Sequence, residues 1–269
     1  MTISGGRVRL SICWASSSVS GHSSCPSSIG RISIDSVLLV AGAACAALGA
    51  FVLALHFPPA KQAHALPYAE MRGFLRSPLV LALAALLFFQ SGVEFTLGGF
   101  VSSYLTHDIA ASVTLASVTL ASWILAAYWA SIMVSRAALS RIALGMDPYR
   151  ILLFCALGAC AGAVLAAVAP GPGISTFAIV LCGFSLAGIY PTAVGVAGER
   201  FKSHSGTAFG ILFAAGLSGG IVLPWLAGQI GGGAGLRWIL GMVAASFAVI
   251  LALSRLAVRC DRAISNLGD

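Results

Sequence analysis

The chain has 269 residues, of which 59% are hydrophobic and only 9% charged, with a formal net charge of +7. A soluble domain carries about 25% charged residues, so this few cannot cover the surface of a water-soluble protein of this size. Nor does the positive excess point to nucleic acid, because the basic residues stand singly between apolar blocks and form no stripe.

Residues 1–33 form a polar, Ser-rich tail that includes Gly6, Gly21, Pro26 and Gly30. It contains no apolar core of signal-peptide length, and its composition predicts disorder. Its contrast with the rest of the sequence predicts a misassigned start or a fragment of a longer protein.

Seven apolar blocks follow, at 34–57, 78–105, 112–135, 151–169, 174–198, 206–230 and 238–258. Each approaches the length needed to cross a bilayer as a helix, about 20 residues at a rise of about 1.5 Å each. Helices are required because lipid cannot satisfy a free backbone donor or acceptor. The expected fold is therefore an all-α integral membrane protein with seven transmembrane helices. A single helix over 34–57 is followed by a linker over 58–77 containing Pro58, Pro59, Lys61, Pro67, Arg72 and Arg76. A six-helix bundle over 78–258 comes next, then a short tail over 259–269. Pro170-Gly171-Pro172-Gly173 and Gly231-Gly232-Gly233 are expected to be tight stops between helices.

Charge sets the orientation. One set of connections holds Lys61, Arg72, Arg76, Arg136, Arg141, Arg150, Arg200, Lys202, Arg255, Arg259 and Arg262. The opposite set holds Arg7, Arg9, Arg31 and Arg237. This bias predicts a multi-pass protein of the cell membrane with linker and C-terminus in the cytoplasm.

Small residues at helical spacing, Gly158-x-x-x-Gly162, Gly206-x-x-x-Gly210 and Gly216-x-x-x-Gly220, predict close helix contacts. Residues 111–115 and 116–120 both read Ala-Ser-Val-Thr-Leu. A five-residue spacing drifts around a helix, so this repeat builds no single face. Seven cysteines are present without any C-x-x-C spacing, and Cys45, Cys155, Cys160 and Cys182 lie inside apolar blocks as small hydrophobes. No metal and no cofactor is expected.

Glu94 is the acidic side chain set deepest in an apolar block, and Gln90 lies one turn before it on the same face. A carboxylate facing lipid is costly, so Glu94 should face a cavity or a partner. The functional reading makes Gln90 and Glu94 the lining of a polar pathway, with Glu94 as the candidate for proton coupling. The alternative is a structural Glu bonded to a neighbouring helix. Trp123, Tyr128 and Tyr190 are further pathway candidates, since a ring with a polar tip can stack on a solute, although ordinary helix packing is the favoured reading for them. Pro191 and Pro224 are expected helix breaks of the kind found where helices bend around a cavity.

Three stretches resemble the major facilitator superfamily of secondary transporters. Gln90-Ser-Gly-Val-Glu94, with Gly98-Gly99 and Ser103-Tyr104-Leu105, is similar to that family's seventh helix in the fucose and glucose symporter branch. Gly183 to Gly188 with Tyr190-Pro191-Thr192 resembles the tenth helix, and Gly216, Gly219, Gly220, Pro224 and Gly228 resemble the eleventh. The family's cytoplasmic loop motif is reduced here to Ser135-Arg136 and Ser140-Arg141, without its Asp. The resemblance implies a C-terminal half, helices six to twelve of a twelve-helix plan. It further implies a symporter of a small polar solute, a sugar by branch, together with a proton or a sodium ion. The substrate cavity would be completed by the missing N-terminal half or a second copy.

Two other classes compete with this reading. Gly216-Leu217-Ser218-Gly219 has the spacing of an intramembrane serine protease nucleophile, but no His follows His204, so the sequence offers no base on a later helix. The helix count also suggests a seven-helix receptor. A retinal protein is excluded, because Lys61 and Lys202 both fall in connections, and the long linker after the first helix argues against other receptors.

Overall fold

The computed structural model describes residues 34–56, 73, 75–104, 115–142, 145–169, 171–235 and 237–268. The tail over 1–33, most of the predicted linker and residues 111–114 of the repeat's first copy lie outside the described residues. The chain divides into two compact units, residues 1–63 and 64–269.

The first unit contains helix α1, Ile34–Ala54. Leu, Val, Ala and Phe cover all its sides, as in a helix whose solvent is lipid. Its continuous apolar run, Leu38–Ala54, has 17 residues, at the lower limit of about 17 for a span.

The second unit is all helix among the described residues: α2 (Pro78–Tyr104), α3 (Leu115–Ile142), α4 (Pro148–Val168), α5 (Pro172–Leu186), α6 (Ile189–Arg200), α7 (Ser205–Ala234) and α8 (Arg237–Gly268). Helices α5 and α6 run end to end, so these helices make six stretches long and apolar enough to cross a membrane. The protein is a multi-pass membrane protein. Of the most apolar 18 residues in each span, 67% are buried in α2 against 22% in α7, which makes α2 the inner helix. It packs against α3, α6, α7 and α8, while α4 joins α5 to α8 and α5 returns to α3.

Missing side chains let α2 and α7 approach backbone to backbone. A Cβ added at Gly92 would lie 2.8 Å from the Gly219 carbonyl oxygen, and one at Gly219 would overlap the Phe88 carbonyl. Gly216 faces Ser91, and Gly220 faces the Phe95 ring, so this predicted motif is a contact face. Gly158 and Gly162 on α4 likewise face Ser185 and Cys182 on α5. The third motif differs. Gly206 and Gly210 have nothing within 4 Å of an added Cβ, because that side of α7 is turned away from the other described helices.

The predicted break at Pro191 is present as a turn at Ala187-Gly188 between α5 and α6. Pro191 has no N–H to give the Ala187 carbonyl, and its ring would clash there in a continuous helix. Gly188 fits because an added Cβ would meet Leu139 at 2.6 Å and Cys155 at 2.7 Å. Pro224 does not break α7, which runs through it. Packing along α2 supports the helix where one backbone hydrogen bond is lost. The expected stop at Gly231-Gly232-Gly233 also lies inside α7, which ends at Gly235 with φ 99°. That left-handed value suits glycine. Between α3 and α4, Asp147 caps the new helix by accepting a hydrogen bond from the Tyr149 N–H at 3.0 Å, with Pro148 in the first turn.

Two helices outrun their apolar blocks. Helix α3 continues to Ile142, so Arg136 and Arg141 are helical residues rather than parts of a connection. Helix α8 continues through the predicted tail to Gly268. In each case paired or exposed polar side chains carry the helix past the point where the sequence ceases to be apolar.

Candidate functional site

Helical spacing brings Gln90 and Glu94 together on α2. The Gln90 amide Nε2 donates to Glu94 Oε2 at 2.7 Å, and Gln90 is fully buried. The Gln90 carbonyl side is approached by the Ser91 hydroxyl at 3.4 Å. Glu94 therefore does not face lipid. Its side chain is 12% exposed and meets Arg136 of α3, whose Nη2 lies 3.4 Å from both carboxylate oxygens. Arg136 itself is 46% exposed.

Arg136 is the partner that sequence reasoning missed. The apolar block ends just before it, which in the sequence puts it among the connecting residues. Tyr128, Ser131 and Ser135 follow helical spacing and are all buried, which marks the inward side of α3 just before Arg136. The Tyr128 hydroxyl donates to the Glu94 backbone carbonyl at 3.2 Å, and the Tyr128 ring meets Trp129 edge-on. Trp129 in turn covers Gly98 of α2.

Beside the pair lies a cavity of about 690 Å³. Helices α2, α3, α6 and α7, with the start of α4, form its walls. Glu94, Arg136 and Glu199 are its charged residues among those described, and Tyr190 and Pro191 line it as well. The break before α6 thus faces the cavity. Tyr190 is backed by Phe213, with ring centroids 6.1 Å apart and planes 15° apart, and Phe213 stacks in turn on Phe209.

The predicted pathway residues separate into three groups. Glu94 and Tyr190 line the cavity. Gln90 and Tyr128 are buried behind its wall, where they hold Glu94 without touching the space. Trp123 is 71% exposed and is not among the lining residues. Pro224 does not line it either. Ser218, the residue of the protease reading, donates to the carbonyl of Ala214 one turn back, at 2.8 Å.

A second charged contact joins α6 to α8. Arg200 donates through Nε to Asp261 Oδ1 and through Nη2 to Oδ2, the latter at 2.8 Å. Asp261 falls in the predicted tail but is buried. Among the described residues no cluster of His, Cys, Asp or Glu could hold a metal ion.

No family model and no curated protein matches the chain. Solved structures do. The fucose:proton symporter FucP of E. coli matches with a TM-score of 0.68 at 18% identity, over 83% of this chain and 54% of that one. A structure of the major facilitator transporter FucP in the outward conformation gives the same values. The peptide transporter POT, solved with alafosfalin, matches with a TM-score of 0.60 at 14% identity, over 71% of this chain and 41% of that one. The fold is that of the major facilitator transporters, and the chain spans about half the length of those it matches.

Proposed function

We propose that the chain forms one half of a secondary active transporter of small solutes, and that the cavity between α2, α3 and α6 is its wall of the solute pathway. One observation carries the reading. A carboxylate in the middle of a membrane-spanning helix is held by Gln90 and Arg136 at the edge of a cavity, rather than sealed in the core. A charged group in such a place marks a solute or ion route. The fold supports it, since the matching structures are of transporters.

In this reading Glu94 takes and gives up the coupling proton, with a sodium ion as the alternative co-substrate. The likeness to a fucose symporter makes a sugar the first solute to test. The other wall comes from a missing N-terminal half or from a second copy, and rocking of the two halves exposes the cavity to each side in turn. The bundle over 78–258 and the single helix over 34–57 act as separate parts joined by the linker. By the distribution of Lys and Arg, that linker and the C-terminal end are cytoplasmic in the cell membrane.

Proteoliposomes containing the chain, alone and co-expressed with a candidate N-terminal half, should accumulate labelled L-fucose or another small solute under an inward proton gradient. Glu94→Gln should abolish the gradient dependence. Absence of accumulation in every combination, under proton or sodium gradients, would overturn the proposal.

A further inference from the structure

The side-chain donors around the cavity are unequally available. Ser140 donates to the Ala137 carbonyl at 2.8 Å and Thr192 to the Gly188 carbonyl at 2.7 Å. These two lining hydroxyls are thus turned to their own helices. Arg136 is different. It meets Glu94 through one nitrogen at 3.4 Å, well beyond the 2.7–2.9 Å typical of a charge-assisted bond. Among the described residues it makes no other hydrogen bond or ion pair, and nearly half its side chain is exposed. A guanidinium has five N–H donors in a planar fork that matches a carboxylate. Arg136 lines the cavity, so an anion there can reach it.

The partner it would leave is separately held. When Arg136 turns to a competing anion, Glu94 loses its counter-ion but keeps the 2.7 Å bond from the Gln90 amide. The rest of the lining is largely apolar and includes Phe95, Leu139, Met146, Ile151 and Leu217 as well as Tyr190. A polyhydroxylated sugar needs many available donors and acceptors, and this wall presents few. An anion with an apolar body suits it better.

We infer that the cavity binds a small organic carboxylate whose anionic head takes Arg136 from Glu94 and whose apolar body lies against the Tyr190 side of the wall. The other charged or titratable groups lining the cavity are Glu94, Glu199 and Tyr190. Glu199 lies on α6 and is exposed, so water screens its repulsion of an anion. This inference rests on the transporter reading for its biological meaning but departs from it on the solute.

The test is equilibrium binding to the purified full chain, which is independent of transport. Benzoate, phenylacetate and hexanoate are titrated beside benzamide, phenylacetamide and L-fucose. At least one carboxylate should bind, and its amide should bind at least tenfold more weakly. Arg136→Gln should weaken the carboxylate at least tenfold and leave the amide unchanged, and Arg136→Lys should fall between. Should Arg136→Gln fail to fold, the carboxylate-to-amide ratio in the unaltered chain and in Arg136→Lys decides. No carboxylate binding, equal binding of acid and amide, or carboxylate binding indifferent to Arg136 would each overturn the inference. Carboxylate binding without gradient-driven uptake would sink the transporter reading alone.

Discussion

Arg200 grips Asp261 with two nitrogens of its guanidinium, tying the end of α6 to the far part of α8. The geometry is the fork-on-carboxylate pairing that fixes orientation as well as distance. Asp261 is buried, whereas the Arg200 side chain is 36% exposed. The contact braces the C-terminal end of α6, the helix that begins at the break by the cavity.

Removing the cation should therefore cost more than removing an ordinary surface charge. Arg200→Ala leaves a buried carboxylate short of its partner and should destabilise the bundle by about 1–3 kcal/mol, toward the lower end because water reaches Arg200. Arg200→Lys should recover part of this, since a single ammonium cannot reproduce the fork. Thermal unfolding in detergent reads both. Equal midpoints for Arg200→Ala and the unaltered chain would show that the brace carries no stability.

The α2–α7 contact makes a sharper contrast between two glycines of one helix. Gly219→Ala places a methyl on the Phe88 carbonyl and should destabilise by about 3 kcal/mol or more, because backbone must move rather than a side-chain tip. Gly210→Ala meets open space and should be neutral or stabilising by up to about 1 kcal/mol, through helix propensity alone. The same unfolding assay compares them, and similar losses at both positions would contradict the crossing described above.

Three aromatic residues test where the cavity wall lies. Tyr190→Ala should change solute affinity, because the ring lines the space. Tyr128→Phe removes one hydrogen bond behind the wall and should cost about 1 kcal/mol in stability with little effect on affinity. Trp123→Ala should affect neither solute binding nor uptake, since the side chain is exposed away from the lining. A strong transport defect in Trp123→Ala would place the solute route elsewhere.

The two prolines should also part company. Pro191→Ala restores an N–H that can bond the Ala187 carbonyl, which favours joining α5 to α6 and should slow uptake more than it changes affinity. Pro224→Ala lies in a helix already continuous and should leave the uptake rate near that of the unaltered chain. Initial rates measured on matched amounts of reconstituted protein distinguish the two.

Much of this molecule is legible without coordinates. Composition and block length name lipid as the solvent, and the cost of a lone carboxylate in lipid singles out Glu94. The bond from Gln90 follows from the spacing of two residues on one helix, and the break near Pro191 from a missing N–H; both are local facts of the chain. The companion of Glu94 was not legible in this way. Arg136 lies 42 positions away on another helix, past the end of its apolar block. Only packing of α3 against α2 shows that it turns inward. The same holds for Tyr128, buried behind the wall, for Trp123, turned outward, and for the Gly206 and Gly210 face that meets nothing. A sequence determines which residues share a side of a helix. Which side meets a cavity, a neighbour or open space depends on how every other helix fills the volume around it.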